Sequence, residues 1–478
     1  MLAKIRKAAA SEKHAHHIKF FQQSGWMMFA STASGLLMLA VHPIVSRNVP
    51  TGEYGVFTTL LQVVALMGIP AVGLQPVIAQ QAAAAITDEQ QRVVASEFRA
   101  VWRAIFFLWL AMILVVAIFW QQALAGLKIE NSMALGAAIL VGLASMWMPL
   151  VNGILQGRQN FFWLGWTNIL NGVGRLCLIA VIVLLFHGWA AGAMSGVFLG
   201  MMVVVAVGGW QIRDVWKTKT VPVEWRNWLG RVIPLTLGLG AATFMLSADM
   251  IFTQNFFPRE QTGFYAAAGM IGRALVFFTQ PLAQVMFPKL ARSKATGEKS
   301  HALELALGAT LLAGGAAAIA CTLFPSLPLR LALYKPNYIA TASPLVPWFA
   351  WCMLPLTLSF VLVNSLMARS KFSAVPWLVL VAIGYGVALT VVGRHAGSLA
   401  DTQAGLRMMI QTLGAFNLLL FAVCAWFTWA RKPRWKNKII FSERATALAH
   451  LIFCKSSLPA DATVAAICKT ASKSAGCG

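Results

Sequence analysis

Apolar residues run through this chain in windows of about twenty positions, separated by short segments that hold most of the charges. Ala104–Trp120, Leu178–Phe186 and Met201–Gly209 are uninterrupted examples. An α-helix needs about 20 predominantly apolar residues to cross a bilayer core. The pattern therefore predicts an all-α integral membrane protein of twelve transmembrane helices. The first six lie near 21–46, 55–82, 101–121, 132–155, 163–187 and 188–212. The second six lie near 232–256, 262–288, 303–325, 341–368, 372–393 and 405–429. The joint between spans five and six is placed at His187-Gly188. A transmembrane β-barrel is excluded, because the windows are solidly apolar and do not alternate.

Composition agrees with this reading. The 478 residues are 59% hydrophobic and 11% charged, with mean hydropathy +0.71, whereas soluble domains carry about 25% charged residues. A net charge of +23 on a globular surface would suggest nucleic acid. Here the positive charge is sorted by loop instead, and no nucleic-acid partner is expected. Twenty-five Lys and Arg fall in the segments 4–19, 92–103, 158, 213–231, 289–299, 369–371 and 431–438. Seven fall in the alternate segments: Arg47, Lys128, Arg259, Arg330, Lys335, Arg394 and Arg407. Cytoplasmic loops are enriched in Lys and Arg, so both termini are expected inside. The basic start leads into a long apolar stretch with no cleavage site, which reads as a first span and not a removed signal. The seven cysteines lack metal or redox spacing and read as small apolar residues plus a loose tail.

The two halves of the chain repeat. His42-Pro-Ile-Val-Ser-Arg-Asn48 aligns with Asp249-Met-Ile-Phe-Thr-Gln-Asn255 at an offset of 207, and Gly55-Val-Phe57 with Gly263-Phe-Tyr265 at 208. At an offset of 211, Leu155-Gln-Gly-Arg158 aligns with Leu366-Met-Ala-Arg369, Phe161 with Phe372 and Trp166 with Trp377. The expected organisation is a basic cytoplasmic N-terminus (1–20), a six-helix bundle (21–212), a linker (213–231) and a second six-helix bundle (232–430). A poorly ordered cytoplasmic tail (431–478) follows. Six spans per repeat is an even number, so both halves enter from the same side and an axis along the membrane normal relates them. Two such bundles around a central cavity suit a carrier that rocks between two openings.

Residues 44–57 (IVSRNVPTGEYGVF) resemble the R-x-x-x-P-x-E-[YF]-G-x-[YF] signature of bacterial polysaccharide transporters, with Pro50 one place early. The residues 249–251 (DMI), 263–265 (GFY) and 288–290 (PKL) resemble the corresponding second-half signature. The turn 157–161 (GRQNF) is similar to that family's G-x-x-[RK]-F, with its Arg early. The likeness covers about residues 20–430. It implies a flippase for a polyprenyl-pyrophosphate-linked oligosaccharide, or a polysaccharide exporter, in the bacterial cytoplasmic membrane. That family belongs to the multidrug/oligosaccharidyl-lipid/polysaccharide superfamily. The resemblance also implies membrane lipid, a glycan polymerase and glycosyltransferases as partners.

Charged groups at membrane depth cost about 2.5–3.5 kcal/mol on insertion scales and usually face a wet interior. Arg175 sits mid-way along span five and Arg273 mid-way along span eight. Asn168, Asn171 and Arg175 share one helical face, as do Tyr265, Gly269, Arg273, Gln280 and Gln284. A guanidinium is permanently charged and grips phosphate oxygens bidentately, so these two stripes are candidate cavity linings for a pyrophosphate. The competing reading is that each Arg braces the bundle against a carboxylate or backbone carbonyls. Asp249 and His42, at repeat-equivalent positions, are candidate ion-coupling groups, with a helix-end brace as the alternative. Arg47 matches the family's Arg and suits either substrate contact or a bond across the bundle.

No Walker A loop, HExxH, GxSxG or paired Cys/His spacing occurs, so no enzyme activity, cofactor or metal is expected. Three alternatives stay open: a multidrug or cation extruder of the same superfamily, a peptidoglycan-precursor flippase, and a membrane-embedded glycan-assembly enzyme. The extruder predicts an acidic lumen. The enzyme predicts a large outer loop or a charged catalytic cluster, and neither is visible.

Overall fold

The computed structural model describes residues 2–276, 302–333 and 335–430, excluding the side chains of 2–24, 302 and 430. Residues 1–428 form one compact unit; of the second, 429–478, only 429–430 are described. Every regular element among the described residues is helical. In chain order they are α1 (Leu2–Asn48), α2 (Thr51–Met67), α3 (Ile69–Val72), α4 (Leu74–Ala84), α5 (Asp88–Ile118) and α6 (Trp120–Gly126). Then come α7 (Ser132–Gly157), α8 (Phe161–Phe186), α9 (Trp189–Gln211), α10 (Arg213–Lys217), α11 (Trp225–Phe256) and α12 (259–276). The last are α13 (Ala302–Leu323), α14 (Ser326–Ala332), α15 (Pro336–Ala342), α16 (Val346–Ala368), α17 (Val375–Gly397) and α18 (Thr402–Ala425).

Ten helices among the described residues are long and apolar enough to cross a membrane, and a bent pair makes an eleventh. The remaining expected span, 262–288, begins as α12, and its second part lies outside the described residues. The bent pair is the expected span 55–82, which is broken by 53° between Met67 and Ile69. Pro70 sits in the first turn after the break. It lacks the N–H that an uninterrupted helix needs there, and its ring crowds the preceding turn. The first span is Gly25–Asn48, and the helix that carries it starts well before it: α1 runs 47 residues from Leu2, through an Ala- and Lys-rich stretch of high helix propensity. The junction of spans five and six is a turn in which His187 adopts left-handed φ 49° and ψ 36°.

The layering follows from where lipid and protein compete for each face. In α5 only 17% of the most apolar window is buried, against 61% in α9 and α11. Phe107, Leu114 and Ile118 stand exposed along α5, an apolar stripe that lipid, not protein, solvates. Small residues bring buried helices together. α8 packs on α1 and α9, α7 on α4 and α9, and α16 on α13 and α18. The first-half and second-half helices meet where α2 and α3 pack along α11. There a Cβ on Gly73 would lie 2.7 Å from the Thr236 backbone nitrogen, so the approach depends on glycine.

The repeat is visible in the backbone. Gln159 (φ 56°) and Ser370 (φ 54°), 211 residues apart, are both left-handed at the end of a helix. In each case the next N–H returns to a carbonyl five residues back: Asn160 to Leu155 at 2.9 Å, and Lys371 to Leu366 at 2.9 Å. This is the Schellman closure of a helix C-terminus.

At the α2/α12 contact a Cβ on Gly263 would collide with the Thr51 carbonyl oxygen, whereas one on Gly308 meets open space. Gly263→Ala is expected to cost about 1–3 kcal/mol through overpacking. Gly308→Ala, inside α13, is expected to be neutral or stabilising by about 0.5–1 kcal/mol. Thermal denaturation in detergent checks both; equal losses at the two sites would contradict the packing described here.

Candidate functional site

Arg273 is the centre of a buried polar cluster. Its Nη2 lies 2.6 Å from Asp249 Oδ2 of α11, and its Nε donates to the Leu246 carbonyl at 3.2 Å. The Tyr265 hydroxyl donates to the same Asp249 oxygen at 2.9 Å. Asp249 is fully buried and Arg273 only 5% exposed. Tyr265, Gly269 and Arg273 lie on one face of α12 at four-residue spacing, as the sequence predicts. The guanidinium folds back over Gly269, where a Cβ would collide with Nη1. The ring of Phe349 from α16 completes the wall, with the guanidinium carbon over it at 5.9 Å from the ring centre. The charge of Arg273 is met by the carboxylate on the adjacent helix, the contact that the bracing reading calls for.

Arg175 is placed differently. α8 carries Asn168, Asn171 and Arg175 on one face; Asn168 and Arg175 are half-buried and Asn171 is buried. Arg175 Nε and Asn171 Oδ1 are buried with no hydrogen-bond partner among the described residues. No carboxylate pairs with Arg175 there either. The backbone below it is clamped: a Cβ on Gly200 of α9 would come within 2.7 Å of the Arg175 nitrogen. Close α8/α9 packing therefore fixes the root of the side chain while its Nε stays without a partner among the described residues. No hydrogen bond or ion pair joins this stripe to the Arg273 cluster among the described residues. Gln280 and Gln284 lie outside them.

His42 and Asp249 are equivalent in the repeat but not in surroundings. His42 Nδ1 lies 3.1 Å from the Tyr54 hydroxyl, which itself donates to Met270 Sδ at 3.8 Å, one turn before Arg273 on α12. Tyr54 also meets Tyr338 edge-on, with ring centres 5.8 Å apart. His42 is thus tied to second-half helices through Tyr54, and it makes no bond to Asp249.

A set of contacts between the halves gathers at one end of the helices. Arg47 Nε donates to the Leu333 carbonyl at 3.2 Å. Lys335 Nζ donates to the carbonyls of Ser46 at 2.8 Å and Val49 at 3.2 Å. Lys128 Nζ donates to the Phe257 carbonyl. Arg259, at the start of α12, pairs with both Glu53 of α2 and Glu130 before α7. The second Glu53 oxygen accepts the Ala190 N–H at the start of α9, 3.2 Å away, where the helix dipole favours negative charge. Burial pushes the ammonium pKa values of Lys128 and Lys335 down from the ordinary lysine value. Of these groups the sequence singles out only Arg47. The others sit among the few cations of the Lys/Arg-poor segments, and that scarcity was the available signal.

At the opposite end, the hydrogen bonds of Arg158, Val221 and Lys371 stay within one half or reach only the linker, while Arg231 near the start of α11 attracts Glu97 of α5. Arg158 grips Asp214 with two hydrogen bonds, 2.9 and 2.6 Å, and those bonds hold the Asp214 carboxyl below its ordinary range. Val221 N–H donates to Ser96 Oγ at 2.8 Å, and Lys371 Nζ to the Phe427 carbonyl at 3.2 Å.

The architecture matches transporters of one superfamily. An inward-facing multidrug-resistance MATE transporter of the MOP superfamily superposes with TM-score 0.64 at 12% identity, over 83% of this chain and 94% of that one. The lipid II flippase MurJ, in an inward closed conformation, gives 0.63 at 13% identity, over 91% and 93%. A MOP-superfamily transporter from Pyrococcus furiosus, described as having a binding pocket of reverse polarity, gives 0.62 at 15% identity, over 85% and 93%. At these identities the likeness establishes the fold. No curated protein matches the sequence. The family model for polysaccharide biosynthesis proteins matches residues 20–294, more than half of the chain, and the chain belongs to that family.

Proposed function

We propose that the protein is a flippase that carries a polyprenyl-pyrophosphate-linked oligosaccharide from the inner to the outer leaflet of the bacterial cytoplasmic membrane. In this reading twelve spans form two six-helix bundles, both termini are cytoplasmic, and the bundles rock about the α2/α11 seam. The observation that carries it is the unsatisfied Arg175 Nε, one helical turn from the unsatisfied Asn171 Oδ1. A buried donor left unpaired costs about 1–3 kcal/mol or more when charged. A ligand that supplies phosphate and hydroxyl oxygens would meet both groups. The membership in the polysaccharide biosynthesis family supplies the glycan.

The placement of the contacts between halves supports the direction. They gather at residues 46–53, 128–130 and 257–259, and at 333 and 335. These are segments that the Lys/Arg distribution assigns to the outside. The protein would then be closed to the outside and poised to accept cargo from the cytoplasmic leaflet. The cation-extruder alternative needs a deep carboxylate without a countercharge, and Asp249 Oδ2 already holds Arg273 and Tyr265, although Oδ1 has no partner among the described residues. The ion pair with Arg273 supports a bracing role for Asp249.

Reconstituted Arg175→Gln protein is expected to flip a fluorescent polyprenyl-pyrophosphate oligosaccharide at least tenfold more slowly, the loss of one charged hydrogen-bond donor. Arg175→Lys should retain part of the rate, because the charge stays while the bidentate fork is lost. An Arg175→Gln rate within twofold of the parent would sink the assignment.

The brace has its own signature. Arg273→Gln or Asp249→Asn alone leaves an uncompensated buried charge and should cost about 3–5 kcal/mol of stability. The double variant should recover much of that loss, with its melting temperature above both singles. Additive losses in the double variant would contradict the pairing.

A further inference from the structure

Lys128 and Lys335 lie 207 residues apart, the offset that relates His42 to Asp249. Their targets, Val49 and Phe257, lie 208 apart. Lys128, before α7, donates to the Phe257 carbonyl, which ends α11 in the second half. Lys335, before α15, donates to the Ser46 and Val49 carbonyls, which end α1 in the first half. Exchanging the halves turns one contact into the other. Gly55 and Gly263, also 208 apart, meet between them: a Cβ on Gly55 would lie 3.0 Å from the Gly263 nitrogen. Equivalent glycines touch each other only where an axis relating the halves passes, so the two lysines flank that axis.

The chemistry suits a reversible closure. The last carbonyls of a helix have no intrahelical donor and carry the negative end of its dipole, and a charged ammonium binds them more strongly than a neutral donor would. Neither lysine has an ion-pair partner among the described residues. When such a contact breaks, no buried carboxylate is stranded; the ammonium and the carbonyl both pass to water. Glu53 differs, since it is buried against Arg259 and Ala190. We propose that Lys128 and Lys335 are a two-fold paired latch that holds the outer mouth shut, each half locking the end of the other half's first helix. Both must release for the outward opening. The proposal rests on the alternating-access reading of the preceding subsection but not on the identity of the cargo.

The test measures the mouth directly and without substrate. Spin labels at Ser132→Cys in the first half and Asn337→Cys in the second, both exposed positions, report its width. The full chain, with its native cysteines replaced, is placed in nanodiscs and examined by double electron–electron resonance. The parent should show one short-distance population. In Lys128→Met/Lys335→Met the ratio of long-distance to short-distance protein should rise about tenfold or more. Each single variant should give an intermediate and similar rise, because the two contacts are equivalent. Lys128→Arg/Lys335→Arg should keep the parent distribution, since a guanidinium reaches the same carbonyls. An unchanged distribution in the double Met variant would overturn the latch, and so would an effect carried by one lysine alone or an opened mouth in the double Arg variant. If the Met variants fail to fold, Lys→Gln at both positions is read by the same criteria. Failure of the flippase reading would appear instead as lost or absent lipid transport with the latch intact.

Discussion

A carboxylate in the interior of a helical membrane protein has to be met by a partner, and Asp249 is met by Arg273 and Tyr265 at once. The rest of the charge balance depends on that assignment. Were Asp249 free, the interior would offer an acidic group to a cation. One Asp249 oxygen holds Arg273, and so joins α11 to α12, while its other oxygen and Arg175 Nε on α8 are both buried without a hydrogen-bond partner among the described residues.

The second constraint is mechanical. First-half and second-half helices meet along α2, α3 and α11 through small residues, and at one end through cations placed on carbonyls and carboxylates. At the other end the hydrogen bonds of Arg158, Val221 and Lys371 stay inside one half or reach only the linker. A seam of glycine-mediated packing with a polar seal at one end suits a carrier whose halves pivot. Of the seven cations on the Lys/Arg-poor side, four (Arg47, Lys128, Arg259 and Lys335) make bonds between the halves. Positive charge is sparse on that side, and more than half of it is spent on closure.

Much of the fold is legible in the sequence because hydropathy is a one-dimensional signal. The apolar windows, the His187 turn and the repeat offsets all follow from local composition and order. The break in the second span was also written there, in Gly68-Ile-Pro70, but an apolar window does not register a missing N–H. The site was legible in part. The α12 stripe of Tyr265, Gly269 and Arg273 is where the spacing puts it, yet its role depends on Asp249, 24 residues away on another helix. Helical periodicity cannot pair residues across two helices. The latch was harder still. Lys128 and Lys335 stand at the repeat offset, but their partners are backbone carbonyls, which have no residue identity to read.

Alternating access requires the sealed end to open for cargo to cross. A Cβ on Gly52 would lie 3.2 Å from the Arg259 Cβ across the seal, close to the roughly 3.8 Å of a disulfide-bonded pair. In a background without native cysteines, reconstituted Gly52→Cys/Arg259→Cys protein is to be assayed for flipping a fluorescent lipid-linked oligosaccharide, oxidised and reduced. Opening at this end requires that transport stop while the disulfide is formed and recover on reduction. Equal rates in the oxidised and reduced protein would contradict it.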